Sequence, residues 1–292
     1  MSAKYACMAD HAPLYPIRVM ARVLGVSASG YYAAQRRPPS ARTQRDADLT
    51  THIAVLHRTS RGSYGAPRIH DALQQAGTAV SRKRVARLMQ AAALVGTTPR
   101  RWRAHAASDP TAPTPNVLAR AFAPSAALNT AWAADITYLP YAGGTAYLAV
   151  VLDLASRRVI GWALESHLLT TLPIAALQRA LATRPRQGPT LHHSDRGGQY
   201  VSAPYRQLLA THGLTPSLSA TGNCYDNAVV ESFFGTLKRE CAFASCPSVR
   251  ALRHTLAAYI DGWYNPHRLH SSLGYQSPLQ YEARLRTSAR AA

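Results

Sequence analysis

The sequence predicts an α/β protein, a mixed sheet with helices on both faces, preceded by an all-α region. Three observations predict it. Apolar residues recur at helical spacing in the first third of the chain and at strand-like spacing after residue 128. Between the two regimes, residues 104–127 are rich in Ala, Pro, Ser and Thr, with Pro110, Pro113, Pro115 and Pro124. Such a stretch cannot build a core and reads as a linker. Beyond it the segments run β-β-β-α-β-α-β-α, an alternation that makes a mixed sheet covered by helices.

The elements follow in order. Ile17–Gly25 is apolar at helical spacing and stops at Gly25; Val26 and Ser27 make a turn, and Ser29 begins a second helix. This is a helix-turn-helix outline. A second outline follows, with a helix from Asp46 to Arg58, a break at Gly62–Gly65, and Pro67 opening a helix that carries Arg68 and ends at Gly77. Ser81 caps the next helix and places Arg82, Lys83 and Arg84 in its first turn, with Arg87 following. A recognition helix presents its N-terminal residues to base edges or phosphates, so these side chains are the candidate nucleic-acid contacts.

After the linker, Ala131–Pro140 reads as a strand carrying Asp135; Tyr147–Leu154 and Val159–Leu164 read as a hairpin turning at Ser156. Thr170–Thr183 is an amphipathic helix and Pro189–Asp195 a strand ending at an acid. Ala203–His212 is a helix, Leu214–Leu218 a short strand, and Asn227–Cys241 a helix carrying Glu231. The expected division is a leader at 1–40, a second helical module at 45–103, the linker at 104–127, a core at 128–245 and a helical extension at 246–292.

Charge narrows the partner. The chain holds 33 Lys+Arg against 14 Asp+Glu, a formal charge of +19, and lysine occurs only at Lys4, Lys83 and Lys238. Arginine binds phosphate bidentately and stacks on bases, so nucleic acid is the expected partner, with anionic membranes or acidic proteins as the other class. No apolar run approaches a membrane span, and no signal peptide is evident. Cys7, Cys224, Cys241 and Cys246 form no CxxC pair, and His52 and His57 lack a matching pair, so neither a disulfide framework nor a zinc module is expected.

Acid residues are scarce, so three carboxylates inside apolar or Gly-rich stretches need a reason: Asp135, Asp195 and Glu231. Asp195 and Glu231 enclose 35 residues. Hard divalent cations take oxygen ligands, and a pair of them can clamp both oxygens of an in-line phosphoryl transfer. If the first and fourth strands are neighbours, Asp135 and Asp195 come within reach of one ion. On the Glu231 helix, Asn227, Gly235 and Lys238 share the Glu231 face, so Lys238 points towards bound DNA. Asp153 reads as a turn residue with Ser156, Asp226 as a helix N-cap, His192 and His193 as local packing or substrate contacts, and Tyr200 and Trp263 as packing residues.

The spacing, with Lys238 seven residues after Glu231, resembles the D,D(35)E signature of transposases and retroviral integrases. The chain resembles an OrfB-type transposase of the insertion-sequence-three family along nearly its whole length. The resemblance lies in Leu24-Gly-Val-Ser-Ala-Ser-Gly-Tyr-Tyr32, Tyr64-Gly-Ala-Pro-Arg-Ile-His70, Arg84-Val-Ala-Arg-Leu-Met89, Trp132-Ala-Ala-Asp-Ile-Thr-Tyr138, His193-Ser-Asp-Arg-Gly-Gly-Gln-Tyr200, Gly222-Asn-Cys-Tyr-Asp-Asn-Ala228, Glu231-Ser-Phe-Phe-Gly-Thr-Leu-Lys238 and Tyr264-Asn-Pro-His-Arg-Leu-His-Ser-Ser-Leu-Gly274. It departs at Thr221, where relatives often carry a basic residue, and at Ala33 and Ala34, where an aromatic is usual. The resemblance implies a ribonuclease-H-like core, two Mg²⁺ ions with Mn²⁺ able to substitute, and cutting and joining of the element's DNA ends. It also implies double-stranded DNA as partner (terminal inverted repeats and target), a homo-oligomer on DNA, an upstream-frame partner protein, and a bacterial cytoplasmic, nucleoid-associated location. A catalytically dead DNA-binding protein and a plain ribonuclease-H-like nuclease are the alternatives; the intact acids argue against the first, the helical modules and Lys238 against the second.

Overall fold

The computed structural model describes residues 3–97, 117, 118, 127–185, 188–219 and 227–291. Three short helices come first, α1 (Ala3–His11), α2 (Ile17–Leu24) and α3 (Ala28–Arg36). α2 stops where Gly25 turns left-handed at φ 61°, a conformation that costs glycine least. Ser27 caps α3, its Oγ accepting from Gly30 N at 3.2 Å. α1 lies outside the sequence expectation; it buries only Met8, too little for an apolar period to show.

The second helical module comprises α4 (Ala41–Thr59), α5 (Ala66–Gln75) and α6 (Arg82–Ala91). α4 begins five residues before the expected Asp46, because Ser40 caps it by accepting from Thr43 N at 3.2 Å. Ser81 caps α6 as expected, accepting from Arg84 N at 3.3 Å. Ile53, Ile69, Leu73 and Val85 form the module's core.

The sheet contains β1 (Ala131–Tyr141), β2 (Gly144–Asp153), β3 (Val159–Glu165), β4 (Thr190–Ser194) and β5 (Leu214–Leu218), in spatial order β3-β2-β1-β4-β5. β1–β2 and β2–β3 are antiparallel; β1–β4 and β4–β5 are parallel. Helices α7 (Thr171–Thr183), α8 (Gly198–Val201), α9 (Ala203–Thr211) and α10 (Ala228–Glu240) complete the expected alternation. Side chains alternate across the pleat. Trp132 and Ala134 of β1 pack with α7 and α9, while Ala133 and Leu139 pack with α10 and with α11 (Val249–Tyr259). Gly161 is needed where α7 crosses β3, since a Cβ there would collide with the Ala176 carbonyl.

The closing segment runs from α11 through a π-helical turn at Ile260–Tyr264, α12 (Asn265–His267) and a 3-10 turn at Ser271–Leu273 to α13 (Pro278–Ala291). Its sequence motif is a clamp. Asn265 bonds both backbone groups of Val159, at 3.0 and 2.9 Å, and the Tyr264 hydroxyl donates to the Arg157 carbonyl at 3.1 Å. Arg268 grips Glu240 of α10 with Nε and Nη2, the shortest contact being 2.8 Å. Glu282 of α13 is held by Arg184 and by Arg158 at 2.9 Å.

The same segment docks on the second helical module. Leu269 is buried in that module's core, the Tyr64 hydroxyl accepts from Leu269 N at 2.7 Å, and Arg68 Nε donates to the Leu269 carbonyl at 3.1 Å. Two expectations change. Residues 104–127 read as a linker between the helical module and the core, yet part of the module's core comes from the far end of the chain. Arg68, expected at DNA, is half-buried against the closing segment. Most of 104–127 lies outside the described residues, but Leu118 is buried in the sheet's core, and Val117 N and Leu118 N donate to Ser217 Oγ at 3.0 and 3.2 Å.

Leu269→Ala should destabilise α4–α6 by about 2–5 kcal/mol, the cost of emptying a buried leucine site. Hydrogen exchange in those helices checks it; unchanged protection there would contradict the docking.

Candidate active site

The sheet register decides where the first two acids meet. Ala133 of β1 is level with His193 of the parallel strand β4. Asp135 and Asp195 each lie two residues further on, so both reach the same level on the same side of the pleat. β4 stops at Ser194 while β1 continues, which opens a cleft at the carboxyl ends of the parallel pair. Both aspartates line one recess of about 200 Å³ there.

The third acid arrives on α10. Asn227, immediately before the helix, is buried and donates from Nδ2 to the carbonyl of Ala134 at 3.2 Å, next to Asp135. Glu231 follows one helical turn later, about 6 Å along the axis. It is exposed, as is Asp195, while Asp135 is half-buried.

Burial, and then the charge of Asp195, raise Asp135 from 3.8 to about 7; Glu231 adds to the rise, while the Ile136 N–H and Lys238 oppose it. Burial also raises Glu231. Of the four glutamates, Glu165, Glu240 and Glu282 are each ion-paired with arginine. Among the described residues Glu231, Asp135 and Asp195 have no such partner. Each aspartate commits an oxygen to a local N–H, Ile136 at 2.7 Å and Gly197 at 2.9 Å. Three neighbouring carboxylates without an arginine among the described residues, opposed only by the charge of Lys238, fit a divalent cation. Among the described residues no three His, Cys, Asp or Glu side chains form a ready metal cluster. Lys238, two turns along α10, is exposed and sets its Nζ 4.5 Å from the centre of the Tyr138 ring. Burial lowers its pKa and the charge of Asp135 opposes this. A Cβ at Gly235 would meet only Arg239 Nη1, at 3.2 Å.

The chain resembles known proteins along most of its length. The integrase core domain family matches residues 126–224 and again 212–278, and an HTH-like domain family matches 43–102. The transposase InsF for insertion sequence IS3A of Escherichia coli K12 is 40% identical over 96% of this chain and 98% of its own. The chain belongs to the IS3 family of transposases. The Mycobacterium tuberculosis protein of insertion sequence element IS986/IS6110 is 36% identical over 88% of this chain and 95% of its own. Among solved structures, the HTLV-2 integrase catalytic core domain in complex with magnesium matches 53% of this chain and 96% of its own, at 18% identity and a TM-score of 0.39.

The transposase carries a basic groove on its HTH-like module. An open groove of about 570 Å³ is lined by Arg42, Arg45, Ser81, Lys83, Arg84 and Arg87. Asp46 orients two of these, holding Arg84 and Arg87 each at 2.6 Å. The hydrogen bonds from Arg87 and then Arg84 keep Asp46 below the usual carboxylate range. Lys83, Arg84 and Arg87 therefore line one groove; Arg82 is exposed but outside the groove lining, and Arg68 is in the clamp. Arg42 and Arg45 were missed because the expected helix began after them. Their signal was Ser40, a capping residue.

The other polar residues take structural roles. Asp153 accepts from the N–H groups of Ala155 (2.9 Å), Ser156 (3.0 Å) and Asn129 (2.8 Å), as expected of a turn residue. His192 bonds the Tyr205 hydroxyl at 3.0 Å, and His193 lies between Ser217 (2.9 Å) and Ser219 (3.1 Å), so both pack locally. Tyr200 packs edge-on to Tyr205, and Trp263 packs with Tyr64. Asp226 and Thr221 lie outside the described residues.

The raised Asp135 has a consequence for the metal-free protein. Its folded pKa of about 7 exceeds the unfolded value, so the folded chain keeps a proton that the unfolded chain has lost. The destabilisation is absent below about pH 4 and grows as pH rises through 7, to at most about 4 kcal/mol. In chelator, Asp135→Asn should raise the thermal midpoint at about pH 8 and leave it nearly unchanged at about pH 4. Equal midpoint changes at the two pH values would contradict the shift.

Proposed function

We propose that Asp135, Asp195 and Glu231 are the catalytic metal ligands of this transposase and hold two divalent ions, Mg²⁺ or Mn²⁺ in its place. The observation that carries this reading is the recess at the carboxyl ends of β1 and β4 that Asp135 and Asp195 line together, with Glu231 close enough to add to the rise of the Asp135 pKa. Such ions, when bound, polarise the scissile phosphodiester and stabilise the charge that builds on it. The carboxylates fix where that phosphate sits, and the two aspartates give the site its depth. Lys238 lies on the same side of α10 and aligns a neighbouring phosphate. The groove lined by Arg42, Arg45, Lys83, Arg84 and Arg87 holds the element's end largely through phosphates, which positions the duplex without reading it.

The chemistry is two successive in-line displacements. Water attacks the phosphodiester at the element's end; one P–O bond forms, one breaks, and the leaving group is the 3′-OH. That hydroxyl then attacks a phosphodiester of the target and displaces its 3′ oxygen. No covalent bond to the protein is needed, so the side chains act through position and charge. Assembly of copies on paired ends, an upstream-frame partner and action on nucleoid DNA in the bacterial cytoplasm belong to the same proposal. Among the described residues no helix is long and apolar enough to cross a membrane.

Asp135→Asn, Asp195→Asn and Glu231→Gln keep side-chain shape but remove the charge a hard cation selects. Each should abolish cleavage of a labelled terminal duplex in Mg²⁺ while end binding stays within about twofold, the change expected when affinity is spread over many phosphate contacts. Near-normal cleavage by one variant removes that residue from the ligand set. A wild-type protein that binds but does not cut would leave a DNA-binding protein with an inert core.

A further inference from the structure

The recess that contains Asp135 and Asp195 changes character away from them. Its remaining walls include Ile136 and Tyr138 of β1, Tyr147 of β2, Leu168 after β3 and Tyr200 of α8. Tyr138 is 64% exposed, Leu168 42% and the adjoining Leu169 59%. Exposed apolar groups set together usually mark a contact surface. Among the described residues no arginine lines it, and a phosphate alone leaves its apolar walls without a partner.

Several observations show that the apolar wall is built. Tyr138 and Tyr147 are directly opposite in the β1–β2 ladder, so their side chains leave the same face of the sheet. Lys238 rests its ammonium on the Tyr138 ring at 4.5 Å. Gln199 donates from Nε2 to the Leu168 carbonyl at 3.1 Å, which ties that wall to the segment following Asp195. The Tyr200 hydroxyl is buried in this wall without a hydrogen-bond partner among the described residues. A buried hydroxyl left unsatisfied is uncommon and calls for a polar partner.

We propose that this recess receives a nucleobase unstacked from the DNA end, belonging to the nucleotide beside the scissile phosphate. The inference rests on the reading of the three acids as the seat of cleavage. Base and phosphate are parts of one nucleotide, so a phosphate held at Asp135 and Asp195 delivers its base to the adjoining wall. A base has two apolar faces, suited to Ile136, Tyr147 and Leu168, and a polar edge that can engage Tyr200. The recess has a volume of about 200 Å³, a size that suits one planar heterocycle. Enzymes that work on duplex ends meet the cost of unstacking a base by stacking it on aromatic and apolar side chains.

The test compares three terminal duplexes that differ at the flanking nucleotide: paired, mismatched and abasic. Full-length wild type, Tyr147→Ala, Tyr147→Phe and Leu168→Ala are measured for single-turnover cleavage in Mg²⁺ and for affinity in Ca²⁺. Circular dichroism midpoints verify folding. Wild type should cut the mismatched end about tenfold faster than the paired end and the abasic end about tenfold more slowly, the scale of one unstacked and restacked base. In Tyr147→Ala and Leu168→Ala, paired and abasic ends should behave alike, and Tyr147→Phe should keep the wild-type preference. Equal losses on paired and abasic ends, or wild type indifferent to the missing base, overturn the proposal. If wild type cuts no end, the reading of the acids fails and the affinities decide this proposal. About tenfold tighter binding of the mismatched than of the abasic end, lost in both alanine variants, supports the recess, and equal affinities overturn it.

Discussion

The parallel pairing of β1 with β4 over Ala131–Ala133 is the constraint on which the site depends. β1 is the middle strand, antiparallel to β2 on one side and parallel to β4 on the other. β3 runs the same way as β4, so the chain must cross over the sheet between them, and α7 is that crossover. Slipping β1 by one residue against β4 would send Asp135 to the opposite face and bury a charge among the residues packed on α7. Trp132, Ala134 and Gly161, which pack with that helix, therefore hold the register that brings Asp135 level with Asp195.

Acids are scarce in this chain, and their placement separates two tasks. Arg268 with Glu240 and Arg184 with Glu282 are buried pairs that join the closing segment to the core. Breaking such a pair by removing one partner typically costs about 3–5 kcal/mol, because the other charge stays buried. Among the described residues Asp135, Asp195 and Glu231 receive no arginine, and burial first, then the charge of Asp195, raises the Asp135 pKa. The clamps fix the helix that brings Glu231: α10 is anchored at Asn227 by β1 and at Glu240 by Arg268. The HTH-like module is tied to the same frame through Leu269, which links the basic groove to the catalytic helix by packing rather than by a free tether.

The sheet, its helix order and the three acids were legible because each has a local signal. Strand alternation, the caps at Ser27 and Ser81, and acids in apolar surroundings can all be read within a few residues. Adjacency of β1 and β4 was conditional in the sequence, since pairing between segments some 60 residues apart leaves no local mark. The misreadings share this cause. Arg68 resembles any basic helix residue until Leu269, 201 positions away, takes its Nε donor. The closing motif was visible as a pattern, but its work as a clamp depends on partners in α5, β3 and α10. Leu118 sits in a Pro-rich stretch whose composition argues against burial, and Ser217 supplies the donor-satisfying oxygen that makes the docking possible. The apolar wall of the recess was invisible for the same reason: Tyr138, Tyr147 and Leu168 come from three elements.

The most direct measurement of the central claim is anomalous scattering from Mn²⁺ in a crystal of the full chain bound to its terminal duplex. Anomalous peaks about 2–2.5 Å from carboxylate oxygens of Asp135, Asp195 and Glu231, beside a phosphate of the duplex, are the predicted result. Peaks that leave Glu231 uncoordinated, or Mn²⁺ bound only elsewhere on the chain, would contradict the account.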